Sequence, residues 1–389
     1  MQVAPEAATE LARRRTWAEV DLDAIGHNIR AIRALLPETN RFMAVVKADG
    51  YGHGMVQVAR AAVEAGAEWL GVATLEEGLA LRVAGFREPV LILGALSADD
   101  LIAVLLPRPP LSVTIASPEM WQALLALQPP GLRAHLKVDT GMTRLGIVPE
   151  EVPAILDVLE RLGGKIQLEG CYTHLAAADD PDSPMTLEQL AAFAPVAEAV
   201  RKRFPKALLH AASSAGAIAW DPSHYDLVRV GLSMYGIYPA PHTRLFLDEP
   251  LKPAMRFLSR VVRTLAVPAG TPVSYGATYR THAPTTIATV ACGYADGYPR
   301  QAGGRGEVVI GGRRFPIVGR VNMDHVMADV GDAEVSVGDE VELFGPTVSA
   351  DEVAAWSGSV SYQVLCAVGP RVPRVFLRGG QVVDVRGPR

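Results

Sequence analysis

Cysteine is scarce in this chain: Cys171, Cys292 and Cys366 are the only three in 389 residues. They form no CxxC pair and no disulfide framework, which suits a reducing compartment. A basic excess is also missing. With 37 Lys and Arg against 42 Asp and Glu, the net charge of -5 argues against a nucleic-acid partner. No run of eighteen apolar residues occurs, and Met1 to Arg15 has no apolar core flanked by a cleavage site. The chain is therefore expected to be cytoplasmic, with no membrane role. The carboxylates Asp179, Asp180 and Asp182 cluster in one proline-broken loop, where aspartates serve turns far more often than metals, so no metal is expected.

What is present is a globular composition, 49% hydrophobic and 20% charged, long enough for one large domain and a smaller one. Trp17 to Asp23 reads as a short strand entering a helix from Ala24 to about Leu36, with Ile25, Ile29 and Ile32 on one face. From Arg41 to about Gly236 strands and helices alternate with short loops. Candidate strands lie at about 41–49, 68–74, 89–95, 111–117, 133–140, 166–174, 207–214 and 227–236. Eight strands in such βα units close a (β/α)8, TIM-like barrel. Thr74-Leu-Glu-Glu77 is a capping box, and Ser117-Pro118 supplies a cap and an N1 proline. After about Pro239 the texture turns to short Val- and Thr-rich runs separated by glycine turns such as Gly311-Gly312 and Gly379-Gly380, with one helical pattern, Ala350 to Trp356. This predicts a second, mostly β domain. Gly303-Gly304-Arg305-Gly306, followed by no helix, reads as a hairpin turn.

One stretch stands apart. Arg41-Phe-Met-Ala-Val-Val-Lys-Ala-Asp-Gly-Tyr-Gly-His-Gly54 is an unalternating apolar run, the mark of a strand buried on both faces. It delivers Lys47 to its end and then breaks at Gly50, Gly52 and Gly54. There an ammonium loses water, its pKa is expected to fall, and the amine becomes able to form an imine with a carbonyl.

Lys47-Ala-Asp-Gly-Tyr-Gly-His-Gly54 resembles the pyridoxal-phosphate lysine motif of alanine racemases. Lys137-Val-Asp-Thr-Gly-Met-Thr-Arg144-Leu-Gly146, Val273-Ser-Tyr275-Gly-Ala-Thr-Tyr279, Gly293-Tyr294-Ala-Asp-Gly297 and Arg320-Val-Asn-Met323-Asp324 resemble further stretches of that family in the same order. The resemblance spans nearly the whole chain. It implies fold type III, with residues 21–240 as a cofactor-binding barrel, 241–389 as a β-rich domain, and a strand within 1–20 packing with that domain. The implied activity is two-base interconversion of L- and D-alanine, supplying D-alanine for peptidoglycan, by a homodimer with shared active sites.

Roles carry over position by position. In a (β/α)8 barrel the functional groups sit at the carboxyl ends of strands, where the sequence places Lys47, Arg144, His174, Ser214 and Arg229. By resemblance Tyr51, Ser214, the amides of Gly231 and Leu232, and Tyr362 hold the cofactor phosphate, although Ser214 alone would read as a helix cap. Ser213 stands where family members often carry asparagine. Arg229, always charged, can only donate; by resemblance it faces the pyridine nitrogen and leaves it unprotonated, which restrains side reactions. On its own it could equally be a member of a barrel-core ion pair. Arg144 would contact cofactor and substrate, and Lys137 would be carbamylated. The Met323 amide would hold the substrate carboxylate, and Tyr294 would line the access corridor. Lys47 would serve the D-enantiomer and Tyr275 the L-enantiomer, with Tyr279 as the competing base. A tyrosine titrates near pH 10, so a tyrosine base at neutral pH needs adjacent positive charge, which by resemblance comes from His174 and Arg229. Cys171 and Cys366 read as small buried hydrophobes. The alternatives are a racemase of broader specificity, for serine or lysine and arginine, and a non-catalytic pyridoxal-phosphate-binding protein. The latter is disfavoured by the β domain, and a decarboxylase by Arg229.

Overall fold

The computed structural model describes residues 5–388, and the described chain divides into two compact units. One comprises Ile25–Gly50 and Val58–Lys252; the other takes in the described residues up to Ala24, Tyr51–Gln57 and those from Pro253 onward.

The first unit is the expected barrel. Its parallel strands are Arg41–Val45, Trp69–Val72, Val90–Ile92, Ser112–Ile115, Leu132–Lys137, Ile166–Tyr172, Leu208–His210 and Leu227–Val230. Each of the first six pairs with its successor, and the eighth pairs with the first. Backbone bonds from Arg229 N to Ala212 O (3.0 Å) and from Asp226 N to Leu209 O (2.9 Å) join the seventh strand's end to the eighth. All eight strands are shorter than the sequence indicated; after the second, fourth and seventh, the last expected residues instead cap or start a helix at Thr74, Ser117 and Ser214. Thr74 Oγ1 accepts from Glu77 N at 3.3 Å, and Ser117 Oγ from Met120 N at 3.2 Å. The barrel core includes a cluster of Met43, Trp69, Leu91, Tyr172 and Leu227. The helix before it, Leu22–Arg33, buries Ile25, Ile29 and Ile32 completely. It starts two residues early because Asp21 Oδ1 accepts from Asp23 N (2.9 Å) and Ala24 N (3.1 Å), an N-cap arrangement.

The second unit is mostly β. Thr16–Asp21 lies between the antiparallel Met255–Val267 and the parallel Arg374–Arg378. Hairpins turn at Gly311-Gly312 and Gly379-Gly380, all four with positive φ. Gly303 to Gly306 is not a hairpin turn: it links the short 3-10 helix Arg300–Ala302 to the strand Glu307–Ile310. A second helix absent from the sequence reading, Ser361–Ala367, follows Ala350–Ser357. It buries Ser361, Val364 and Leu365, which turns Cys366 outward. Cys366 is exposed, contrary to expectation, whereas Cys171 is buried. Among the described residues no helix is long and apolar enough to cross a membrane.

Candidate active site

Lys47 stands two residues beyond its strand and opens a left-handed turn. Ala48, Asp49, Gly50 and Tyr51 have φ of 52, 54, 64 and 51°. A left-handed conformation costs an L-residue about 1–2 kcal/mol, so three non-glycine residues there need an external hold. Glu77 supplies it. One carboxylate oxygen accepts from Ala48 N at 2.7 Å, and the other accepts from Ala73 N at 2.7 Å and Thr74 N at 3.4 Å. The capping-box acid thus ties the loop after the first strand to the loop after the second, a role its sequence motif did not reveal.

Four cations act on one imidazole. His174 is half-buried, and its pKa lies well below the ordinary value through burial and then the charges of Arg229, Arg144, Lys137 and Lys47. Its Nδ1 accepts from Arg229 at 3.1 Å. His174 is therefore neutral and contributes no positive charge, which corrects the expectation for it. Lys137 is held down to about 8, first by burial and then by Arg144 and Arg229, with Asp139 opposing. Its ammonium donates to Leu145 O at 2.5 Å. Asp139 itself folds the loop that presents Arg144, accepting from Gly141 N and Thr143 N at 3.0 Å each.

Arg229 is buried, and among the described residues no carboxylate pairs with it. Nη2 is shared among Thr173 O (2.9 Å), Ala211 O (3.0 Å) and His174, while Nη1 donates to His210 Nδ1 at 2.9 Å. The guanidinium also lies 4.9 Å from the Tyr172 ring centroid, and that ring stacks on His210. Burial lowers the Arg229 pKa to about 10, so the charge persists at neutral pH. Because arginine only donates, His210 Nδ1 must accept and its Nε2 must carry hydrogen toward His135 Nδ1, 2.9 Å away.

At the seventh and eighth strands Ser214 Oγ accepts from Gly231 N at 3.2 Å and Ser233 N at 3.3 Å. Leu232, whose amide the resemblance assigns to the cofactor phosphate with that of Gly231, lies between these two residues in the same short turn. The Ser233 hydroxyl is buried without a partner among the described residues. Ser213, the cap of the helix Ser214–Ala219, makes no side-chain cap bond.

In the β unit the other sequence-marked residues are carried on connected loops. Tyr294 N donates to Asn322 O and Ala295 N to Met323 O, each at 3.0 Å. Asp296, fully buried, receives Arg15 at 2.7 Å and Arg371 at 2.8 Å, and Arg371 also reaches Asp324 at 2.7 Å. Tyr275 begins a short turn between the paired residues Val273 and Tyr279 and is 71% exposed. The two tyrosines of this motif are distinct. Tyr279 donates to Asp329 at 2.9 Å, and its pKa is raised by burial and by that carboxylate. Tyr51 and Tyr362 stand as a tilted ring pair, centroids 6.3 Å apart.

Residues 20–239 match the family model "Alanine racemase, N-terminal domain" and residues 254–376 "Alanine racemase, C-terminal domain". The chain belongs to the alanine racemase family. It is 44% identical over 380 residues to the alanine racemase of Symbiobacterium thermophilum, covering 95% of this chain and 98% of that one. It is 40% identical over 379 residues to that of Geobacillus stearothermophilus, covering 96% of each. The structure of alanine racemase from Bacillus anthracis with bound L-Ala-P superposes with a TM-score of 0.88 at 38% identity, covering 96% of this chain and 98% of that one. Alanine racemases depend on pyridoxal 5'-phosphate. The barrel fits that anion: four cations converge on neutral His174, and the unpartnered Ser233 hydroxyl lies next to the amides on Ser214.

Proposed function

We propose that this chain interconverts L- and D-alanine with pyridoxal 5'-phosphate, using Lys47 and Tyr275 as opposed bases. When bound, the cofactor withdraws electrons from the substrate α-carbon and acidifies its proton. Lys47 anchors the cofactor and moves the α-proton of the D-enantiomer; Tyr275 moves that of the L-enantiomer. Tyr275 is the better base of its motif because its hydroxyl has no partner among the described residues, whereas Tyr279 is committed to Asp329. Ser214, Tyr51, Tyr362 and the amides of Gly231 and Leu232 hold the phosphate. Arg144 and the Met323 amide orient the substrate. A carbamate on Lys137 would neutralise Arg144, consistent with an amine lowered to about 8.

The observation that carries the reading is Arg229: a buried, permanently charged donor where a carboxylate would make the cofactor a stronger electron sink. Weaker withdrawal suits proton exchange without transamination. Residues 21–240 form the cofactor domain in this reading, 241–389 supply Tyr275, Tyr294 and Met323, and a strand within 1–20 packs with them. Tyr275, Tyr294, Met323 and Tyr362 are all exposed in the single chain, as residues of a homodimer's shared sites would be. The setting is the cytoplasm, with D-alanine destined for peptidoglycan.

Tyr294 and Tyr362 add bulk near the substrate, and a small pocket discriminates by roughly 1–3 kcal/mol per methylene. The test is chiral chromatography of L-alanine incubated with holoenzyme. D-alanine should form, far faster than D-lysine from L-lysine, and formation should cease in Lys47→Ala. Equal rates for alanine and lysine would make this a broad-specificity racemase.

A further inference from the structure

Ser274, immediately before Tyr275, has φ 63° and ψ -178°, a region open essentially to glycine alone. Its neighbours Gly276 and Ala277 also have positive φ, 75 and 46°. A non-glycine residue persists in such a conformation only when its surroundings over-determine it. Here the Ser274 hydroxyl lies 2.7 Å from Arg320 O and 3.0 Å from Asn322 Oδ1. The close approach is built in from the other side: a Cβ on Gly319 would lie 2.8 Å from Ser274 Cβ, so residue 319 has no room for a side chain. Meanwhile the Tyr275 ring is exposed, and among the described residues its hydroxyl has no partner. Its place is set by its backbone.

We propose that Ser274 is the positioning residue for Tyr275. The hydroxyl tether to Arg320 and Asn322 holds the strained backbone and thereby fixes where the phenol stands. The same segment, 320–323, carries Met323 and bonds the Tyr294 loop, so the tether also keeps the base in register with those residues. This inference rests on Tyr275 being the base for the L-enantiomer.

Glycine and alanine at this position separate the tether from the strain. Ser274→Gly removes both; Ser274→Ala keeps the strain and removes the tether. Each holoenzyme, beside Tyr275→Phe, is incubated in deuterium oxide, and α-deuterium is followed into L-alanine and, with retention, into D-alanine. Thermal stability is recorded in parallel. Ser274→Gly is expected to be at least as stable as the parent. Its exchange at L-alanine should nonetheless fall between about 10- and 100-fold, the order that a misplacement near 1 Å exacts, with exchange at D-alanine kept. Ser274→Ala should show the same exchange defect with a lower melting temperature.

Normal L-alanine exchange in Ser274→Gly, with Tyr275→Phe impaired, would overturn the tether alone. Equal loss at both enantiomers would overturn it as well, since it would mark general damage. Normal exchange in Tyr275→Phe would overturn the choice of base and the tether with it.

Discussion

Nη1 of Arg229 stands 2.9 Å from Nδ1 of His210, and this contact dictates the protonation of two buried histidines. The donor cannot be reversed, so His210 accepts at Nδ1 and donates from Nε2 to His135. His135 must then carry its hydrogen on Nε2, an atom buried without a partner among the described residues. A proton on either ring would place a second cation beside Arg229.

The pH dependence follows from this pair. His135 is lowered to about 3 by burial and then by Arg229, and His210 lies well below the ordinary range for the same reasons. The folded pKa is below the unfolded value, about 6.5, so the unfolded chain takes up protons first as the pH falls. This contribution to stability is present above pH 6.5 and is lost as the pH drops toward 3. Urea unfolding between pH 7.5 and 5 should show a falling stability that is shallower in His135→Gln. Equal slopes would mean that the histidine is not held neutral.

Glu77 should matter out of proportion to its place on a helix. Its carboxylate receives Ala48, Ala73 and Thr74 amides, and Glu77→Gln would turn an NH2 toward one of these donors. A cost of about 1–3 kcal/mol is expected for a donor left unsatisfied, with weaker retention of pyridoxal phosphate because the Lys47 turn loosens. Urea unfolding and cofactor titration by fluorescence measure the two effects.

Lys137 gives a prediction with a definite sign. Carbamate formation joins a neutral amine to CO2 and releases a proton. An amine at about 8 is neutral far more often at neutral pH than an ordinary lysine near 10.4. At fixed CO2 pressure, 13C label in a carbamate signal should rise most steeply between about pH 6.5 and 8, where the amine loses its proton, and go on rising above 8 until the site is full. The signal should vanish in Lys137→Ala.

Much of this was legible in the chain. Unbroken, β-branched apolar runs such as Phe42 to Val46 read as strands buried on both faces, and local hydroxyls at Thr74 and Ser117 mark helix starts without tertiary help. The motif residues Lys47, Arg144, Ser214 and Arg229 appear where the barrel's strand ends put them. What escaped depends on partners distant in sequence. The clamp of Glu77 on Ala48 crosses between two loops. The neutrality of His174 depends on cations from other strands and loops. Cys366 faces outward because its helix, too short for a clear pattern, buries a different side. Tyr275 and Tyr279 are indistinguishable as letters; Asp329, fifty residues on from Tyr279, separates them.

The central claim is that two bases, Lys47 and Tyr275, act together and come from different chains of a homodimer. Lys47→Ala and Tyr275→Phe chains, each inactive alone, are mixed under conditions that exchange subunits, and D-alanine formation is measured. A mixed dimer with shared sites holds one site lacking both groups and one intact site, so activity should return, up to one working site per mixed dimer. If activity stays absent while exchange of subunits is independently confirmed, the two bases belong to one chain and the shared site is refuted.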